Sequence, residues 1–145
     1  MNNIELPIVK FIKKHHVLNL ATSSDNVPYA ASLFYIYLED ENKLIFASDE
    51  NTKHIQDCLK QPLVAGTIAL ETTFISHIRG IQFTGKIIEV NDDFLRKKYI
   101  KKFPPAVFIP FKLWAIELNF IKMTDNSLGF GEKFIWEKEL PYTQL

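Results

Sequence analysis

Residues 26–68 constrain the fold most strongly, because two strand patterns lead directly into the start of a helix. Residues 29–38 are rich in aromatic and β-branched side chains, residues 39–42 are polar, and residues 43–48 have the pattern of a returning strand. The segment therefore predicts an antiparallel β-hairpin that is followed at once by a helix over residues 52–59, which Pro62 terminates.

The start of that helix is rich in groups that bind anions. Four side chains that can cap a helix occur there: Ser48, Asp49, Asn51 and Thr52. Lys53 and His54 follow in the first turn, where free backbone N–H groups already favour an anion. Two interpretations remain open: a phosphate-binding site, or a short amphipathic helix capped by Asn51 or Thr52 with Lys53 facing solvent.

The rest of the chain predicts a mainly β (α+β) fold. Further strands are expected at residues 16–22, 63–70, 78–90 and 113–123, with an extension at 134–136 and helices near residues 4–12 and 93–103. Gly80 or Gly85 should bend or bulge the long strand. About six uneven strands without a βαβ alternation predict an antiparallel barrel or sandwich with short helices at its ends.

The composition of the chain excludes several classes of partner and suggests where the protein is found. The 145 residues, 47% hydrophobic and 13% aromatic, fit a single domain over residues 1–145 with a real core. Seventeen basic and seventeen acidic side chains cancel, so we expect neither a nucleic acid nor a membrane surface as partner. No apolar run approaches the roughly 18 residues of a membrane span. Because the single Cys58 cannot form an internal disulfide, we expect a cytoplasmic protein.

Other candidate sites are weak. The four histidines, at positions 15, 16, 54 and 77, lack the spacing of a metal site, so no metal is predicted. Asp92 and Asp93 resemble a catalytic carboxylate pair, but a helix cap explains them better. Whether His54 donates to a phosphate or lies on a solvated face stays open, and His77 is a candidate to approach a cofactor ring or haem.

Several motifs together resemble one superfamily. They are N-x-P-Y-x-A-S at residues 26–32, L-I-F-A-S at 44–48, T-K-H-I at 52–55 and R-G-I-Q-F-T-G-K at 79–86. The chain resembles the pyridoxamine phosphate oxidase-like, FMN-binding split barrels. A-G-T-I at residues 65–68 and the segment I-K-M-T-D-N-S-L-G-F-G-E-K-F-I-W at 121–136 are similar to its YhbP-like bacterial branch.

The resemblance implies a six-stranded antiparallel split β-barrel with short flanking helices. Proteins of this kind are usually homodimers that hold FMN in two equivalent clefts between the subunits. The implied function is a flavin-dependent oxidoreductase acting on an unknown small molecule, in which the flavin carries the electrons and the protein orients it.

The resemblance also assigns site residues. The phosphate would be held by Ser48, Thr52, Lys53 and His54. The isoalloxazine ring would lie along Ala31, Ser32, Leu33 and Phe34. Arg79, Gly80 and Gln82 match positions near the ring or the partner's site, and Trp114 would cover the ring.

The chain departs from the superfamily pattern at Ala31. The pyridoxamine phosphate oxidases carry there an Arg that reaches the cofactor phosphate. A lost charge-assisted hydrogen bond is worth roughly 1.5 to 3 kcal/mol, or about one to two decades in affinity, so we expect weak flavin binding unless Arg79 or Lys86 compensates. The basic C-terminal pattern that holds pyridoxal phosphate is also absent from the sequence, so oxidation of that vitamin is not expected.

Two alternatives to a flavin enzyme follow. One is a non-catalytic module that holds a flavin, haem or another planar ligand without turnover. The other is a haem-binding or haem-degrading split barrel, in which His77 or His54 would serve as the axial ligand.

Overall fold

The computed structural model describes residues 4–129 and 131–139. Seven strands form its main body: β1 Val17–Ser24, β2 Val27–Leu38, β3 Lys43–Ser48, β4 Leu63–Ala69, β5 Arg79–Val90, β6 Lys112–Asp125 and β7 Lys133–Glu137. Three α-helices accompany them: α1 Leu6–Lys14, α2 Lys53–Lys60 and α3 Asp93–Lys102. None of the helices in the described ranges is long and apolar enough to span a bilayer.

The strands form one antiparallel sheet that closes on itself. Their order is β3-β2-β1-β4-β5-β6-β7, and a further pairing of β3 with β6 closes the first six into a barrel. β7 pairs with the second half of β6, outside the closed ring. The predicted six-stranded barrel with short helices is confirmed, and the predicted extension at residues 134–136 is a seventh strand.

The predicted hairpin of β2 and β3 is present, and a second hairpin joins β1 to β2. Asp25 and Asn26 join β1 to β2 with φ values of 52° and 66°, which is the positive-φ pair of a two-residue type I′ turn. The β2–β3 connection is a short 3₁₀ turn that ends at Asn42, whose φ is also 52°. Asn and Asp tolerate this left-handed region better than other non-glycine residues.

The bend predicted in β5 occurs at Gly85. The register between β5 and β6 shifts between Thr84 and Gly85. A Cβ atom at Gly85 would lie 2.6 Å from the carbonyl oxygen of Glu117, so only glycine permits this close approach of two strands. At Gly80 the nearest atom to such a Cβ would be 3.4 Å away, and no register shift occurs there.

The helices cover the barrel on different sides. α1 buries Ile8, Phe11 and Ile12 in the main core. α3 packs Leu95 and Tyr99 against a second apolar cluster on the outside of the barrel. This cluster contains Ile36, Ile45, Leu113 and Ala115. Asp92 accepts hydrogen bonds from the N–H groups of Phe94 and Leu95, so its predicted role as a helix cap is confirmed.

Candidate functional site

A tight turn connects the end of β3 to the start of α2. The N–H of Asn51 donates to Asp49 Oδ1 at 2.7 Å, and the hydroxyl of Thr52 donates to the carbonyl oxygen of Asp49 at 2.8 Å. These bonds fold the chain back so that Thr52 lies next to Ser48, the last residue of β3. The turn therefore joins the strand end and the helix start at one point.

Ser48, Thr52 and His54 form a hydrogen-bonded group, which we call the Ser48 cluster. Ser48 Oγ lies 2.7 Å from His54 Nε2 and 3.2 Å from Thr52 Oγ1, and the third side of the triangle is 3.3 Å. Ser48 and His54 are buried. Burial lowers the pKa of His54, although the nearby Asp57 acts in the opposite direction. His54 is therefore a neutral polar group at neutral pH and adds no charge for an anion.

The first turn of α2 has no side-chain cap. Thr52 occupies the N-cap position, yet its hydroxyl makes no cap hydrogen bond and bonds Asp49 and the cluster instead. The interpretation in which Asn51 or Thr52 caps the helix through its side chain is therefore wrong. Among the described residues, no side chain accepts from the first N–H groups of α2, and this turn begins beside the hydroxyls of the Ser48 cluster.

Lys53 belongs to a second group on the neighbouring side of α2. Its Nζ lies 3.1 Å from Asp57 Oδ1 and 5.1 Å above the centre of the Tyr29 ring. Thr22 Oγ1 donates to the other carboxylate oxygen of Asp57 at 3.0 Å. Burial acts to raise the pKa of Asp57, but the hydrogen bonds from Lys53 and Thr22 hold that pKa below its usual value. The Lys53 side chain remains 52% exposed, so its ammonium is both anchored and open to a ligand.

Trp114 supports the site from inside the core. Its indole N–H donates to the carbonyl oxygen of Ser48 at 3.0 Å, and only 3% of the residue is exposed. A buried ring cannot lie over a bound cofactor, so the prediction that Trp114 covers the ring needs correction. Trp114 fixes the backbone of Ser48 instead.

The pleat of β2 divides its four predicted site residues between two faces. Ser32 and Phe34 point outward, and Ser32 Oγ donates to Asn19 Oδ1 at 2.8 Å. Ala31 and Leu33 point to the opposite face, and Leu33 packs against the main core. Ala31 shares this face with Tyr29, the residue whose ring contacts Lys53. The missing Arg would thus have projected from the same face of β2 as the residue beside Lys53.

The structure does not bring the β5 candidates to the Ser48 cluster within one chain. Arg79 pairs with Asp125 at the first end of β5, whereas Ser48 pairs with Lys112 near the other end, where Val90 meets Leu113. Eleven residues of strand separate these ends, or about 35 Å at the usual rise per residue. Gly80 and Gln82 lie close to Arg79 on the same strand. Within one chain, Arg79 therefore lies far along β5 from the Ser48 cluster.

A large cleft opens beside the Ser48 cluster. It has a volume of about 540 Å³, and Phe34 and Ser48 both line it. Most of its other walls are apolar and come from α3 and the proline-rich segment that follows: Tyr99, Phe103, Pro104, Pro105, Ala106, Ile109, Pro110 and Phe111. Ala47 and two charged residues, Asp49 and Lys102, complete the lining. This size is within the usual range for pockets that bind small organic molecules.

His77 occupies a different, exposed position. It lies in the short 3₁₀ turn between β4 and β5, with its ring 5.4 Å from that of Phe74. Phe74, Ile75 and Ile78 are exposed apolar neighbours. No cluster of three or more metal-binding side chains is found within residues 4–129 and 131–139.

The relatives of the chain identify its family. No protein-family model matches the sequence. A UPF0306 protein of Photorhabdus laumondii is 37% identical over 134 residues, which cover 90% of this chain and 94% of that protein. A UPF0306 protein of Yersinia pestis is also 37% identical, over 97% of this chain and 99% of its own length. The chain belongs to the UPF0306 family.

Solved structures with the same fold extend the comparison beyond UPF0306. An FAD-binding protein of Mesorhizobium loti superposes with a TM-score of 0.69 at 18% identity, covering 85% of the UPF0306 chain and 95% of its own. A haem-binding protein of Mycobacterium smegmatis gives 0.72 at 13% identity, over 88% and 56% of the two chains. HutZ, the haem storage protein of Vibrio cholerae, gives 0.67 at 14% identity, over 82% and 92%. At these identities the likeness establishes the barrel fold for the UPF0306 protein.

Proposed function

We propose that this UPF0306 protein binds FMN, with the phosphate at the start of α2, and acts as a flavin-dependent oxidoreductase on a small molecule. One observation carries the proposal: the uncapped first turn of α2 lies directly beside the hydroxyls of Ser48 and Thr52. Backbone N–H groups and hydroxyls can donate hydrogen bonds to phosphate oxygens. The helix dipole also places a partial positive charge at the N-terminus, which stabilises an anion there.

The charge at this site comes from Lys53. Lys53 follows the N-cap residue directly, and its side chain is about half exposed. Asp57 shares that charge, His54 is neutral, and Ala31 supplies none, so we expect affinity in the micromolar range rather than the nanomolar range. A bound flavin would supply the redox chemistry, while these residues hold and orient its phosphate.

A homodimer would complete the site. Counted along β5 from the end that meets the Ser48 cluster, Arg79 lies about 35 Å away and Gln82 about 26 Å away, so we infer that they reach such a cluster in a second copy of the chain. The outer face of β1 and β2 offers small side chains for close contact, among them Ala21 and Ala30, which pair across the two strands. The FAD-binding protein of Mesorhizobium loti gives precedent for a flavin on this fold.

The test is a titration with FMN. Protein purified with added FMN should be yellow, and Lys53→Ala should weaken binding by about tenfold or more, because a charge-assisted contact is lost. Lys60→Ala is the matched control, since Lys60 lies in the last turn of the same helix. Absence of flavin binding at micromolar concentrations would exclude the proposal. A flavin that binds but cannot be reduced would support the non-catalytic module instead.

Haem binding is the second candidate, and His77 favours it. This histidine is exposed among exposed apolar side chains, an arrangement that suits a planar, apolar macrocycle with an axial imidazole. His54 is a poor axial ligand because its Nε2 bonds Ser48. A Soret band after addition of haem, lost in His77→Ala and retained in His54→Ala, would support this function. An unchanged spectrum in His77→Ala would contradict it.

A further inference from the structure

Lys102 lies at the boundary of two clefts on the surface near α3. The first is the cleft of about 540 Å³ beside Ser48, which we call the apolar cleft. The second has a volume of about 490 Å³ and is lined by Ile12, Lys13, Ile36, Tyr37, Lys98, Lys101 and Lys102. We call it the lysine cleft. Lys102 is the residue that lines both, so the two clefts adjoin at its side chain.

The two clefts differ sharply in chemistry. The apolar cleft has aromatic and proline walls, and its one carboxylate, that of Asp49, accepts a hydrogen bond from the N–H of Asn51. Among residues 4–129 and 131–139, the lining of the lysine cleft contributes four ammonium groups and no acidic side chain. In a chain with no net charge, this concentration of lysines is a local feature that favours an anion.

Lys102 itself lacks a counter-ion in the part of the chain that the structure describes. Its Nζ donates a long hydrogen bond of 3.4 Å to the carbonyl oxygen of Tyr35 and lies 5.4 Å from the centre of the Phe103 ring. No described carboxylate lies within ion-pair distance of Lys98, Lys101 or Lys102, whereas Lys13 is paired with Glu39 at 2.9 Å. Partial burial lowers the pKa of Lys102. A cation that is partly dehydrated and unpaired gains more from an incoming anion than a fully solvated one.

We propose that the adjoining clefts bind one amphipathic organic anion, with its aromatic or alicyclic body in the apolar cleft and its single anionic head at Lys102. A purely apolar ligand would leave Lys102 without a partner, and a compact polyanion would leave the apolar walls exposed to water. Phe34, which the resemblance places beside the isoalloxazine ring, also lines the apolar cleft, so this ligand is a candidate for the substrate of the proposed flavin enzyme. That role as substrate rests on the proposed function, but the binding of the anion does not.

The experiment compares two fluorescent probes on the cofactor-free protein. Anilinonaphthalene sulfonate has an aromatic body and one anionic head, and N-phenylnaphthylamine has the same rings without the head. We expect saturable binding of the sulfonate at one site, tighter than that of the neutral probe and weakened by salt. Lys102→Ala should weaken sulfonate binding by about five- to tenfold and leave the neutral probe unchanged, and Lys102→Arg should restore most of the affinity.

Matched variants separate the site from general effects. Lys97→Ala removes a charge from the same helix at a residue that lines neither cleft, and it should leave sulfonate binding unchanged. Ala106→Trp should fill the apolar cleft and block both probes, with a melting curve confirming that the variant is folded. Equal losses in Lys97→Ala and Lys102→Ala, or equal affinities for the two probes, would overturn the inference.

The results of the probe experiment and of the FMN titration can be told apart. Sulfonate binding that depends on Lys102 without any FMN binding would support the cleft inference and remove the flavin function. FMN binding that depends on Lys53, combined with no saturable binding of the sulfonate, would support the flavin function and overturn the cleft inference.

Discussion

Ser48 Oγ lies 2.7 Å from His54 Nε2, and this hydrogen bond links the last residue of β3 to the first turn of α2. Burial lowers the pKa of His54, so the imidazole is neutral where the bond is made. Protonation of His54 at low pH should therefore weaken this bond, and the pH dependence of the protein's stability tests this expectation.

His54→Gln should reduce the sensitivity of the protein to mild acid. In the unfolded chain the imidazole protonates near its usual pKa of 6.5, whereas the folded protein takes up that proton only at lower pH. The free energy of unfolding is thus highest above pH 6.5 and falls as pH drops through the folded pKa. Burial also lowers the pKa of His15, so the variant should lose part of this slope and retain the rest.

Urea denaturation at a series of pH values measures this slope. His16→Gln is the control, since His16 is exposed and lies outside the Ser48 cluster. Identical slopes in the wild-type protein and His54→Gln would show that His54 takes no part.

Trp114→Phe should destabilise the fold by about 1–3 kcal/mol, because the buried carbonyl oxygen of Ser48 loses its donor. The same variant should weaken FMN binding, since Ser48 is less firmly held. Chemical denaturation and FMN titration measure the two effects. Trp136→Phe makes the same change in a half-buried residue of β7, and a loss as large as that of Trp114→Phe would contradict the role of the indole hydrogen bond.

Thr22→Val should lower the urea midpoint at neutral pH by removing the donor to Asp57 while keeping the side-chain shape. Because the folded pKa of Asp57 lies below 3.8, its stabilising effect is present above that value and disappears as pH falls through the folded pKa. The difference between the wild-type protein and the variant should therefore shrink in strong acid. Thr73→Val, at an exposed position, is the control, and a difference independent of pH would contradict the coupling to Asp57.

Gly85→Ala should destabilise the barrel by about 1–3 kcal/mol, as overpacking usually does, because its Cβ would meet the Glu117 carbonyl oxygen at 2.6 Å. Gly80→Ala, on the same strand, meets its nearest atom at 3.4 Å and should change the free energy of unfolding far less. Thermal unfolding of both variants gives the comparison. Equal losses would mean that the bulge does not require glycine.

Sequence patterns predict this fold well where short-range chemistry decides the structure. The bend at Gly85 follows from the backbone freedom of glycine, and the cap at Asp92 follows from its short carboxylate side chain. The pairing of β3 with β6 joins segments that are far apart in sequence. Only the resemblance to split barrels predicts this pairing, because the alternation of apolar residues is the same in a barrel and in a sandwich.

The site was less predictable because its partners come from distant strands. The pairing of Lys53 with Asp57 has the i,i+4 spacing of a helical ion pair, and this signal was available. Thr22 lies 35 residues from Asp57, and Trp114 lies 66 residues from Ser48, so no local pattern links them. Arg79 matched a motif, but the length of β5 places it at the far end of the barrel wall.

Ser48 has two structural roles, and both limit which side chains this position can accept. It pairs with Lys112 as the final rung of the seam that closes the barrel, and its hydroxyl belongs to the Ser48 cluster at the start of α2. A larger or apolar side chain at this position would therefore disturb the start of α2 and the end of the β3–β6 pairing at the same residue. We therefore expect the sequences of UPF0306 proteins to vary less at Ser48 than along the walls of the apolar cleft.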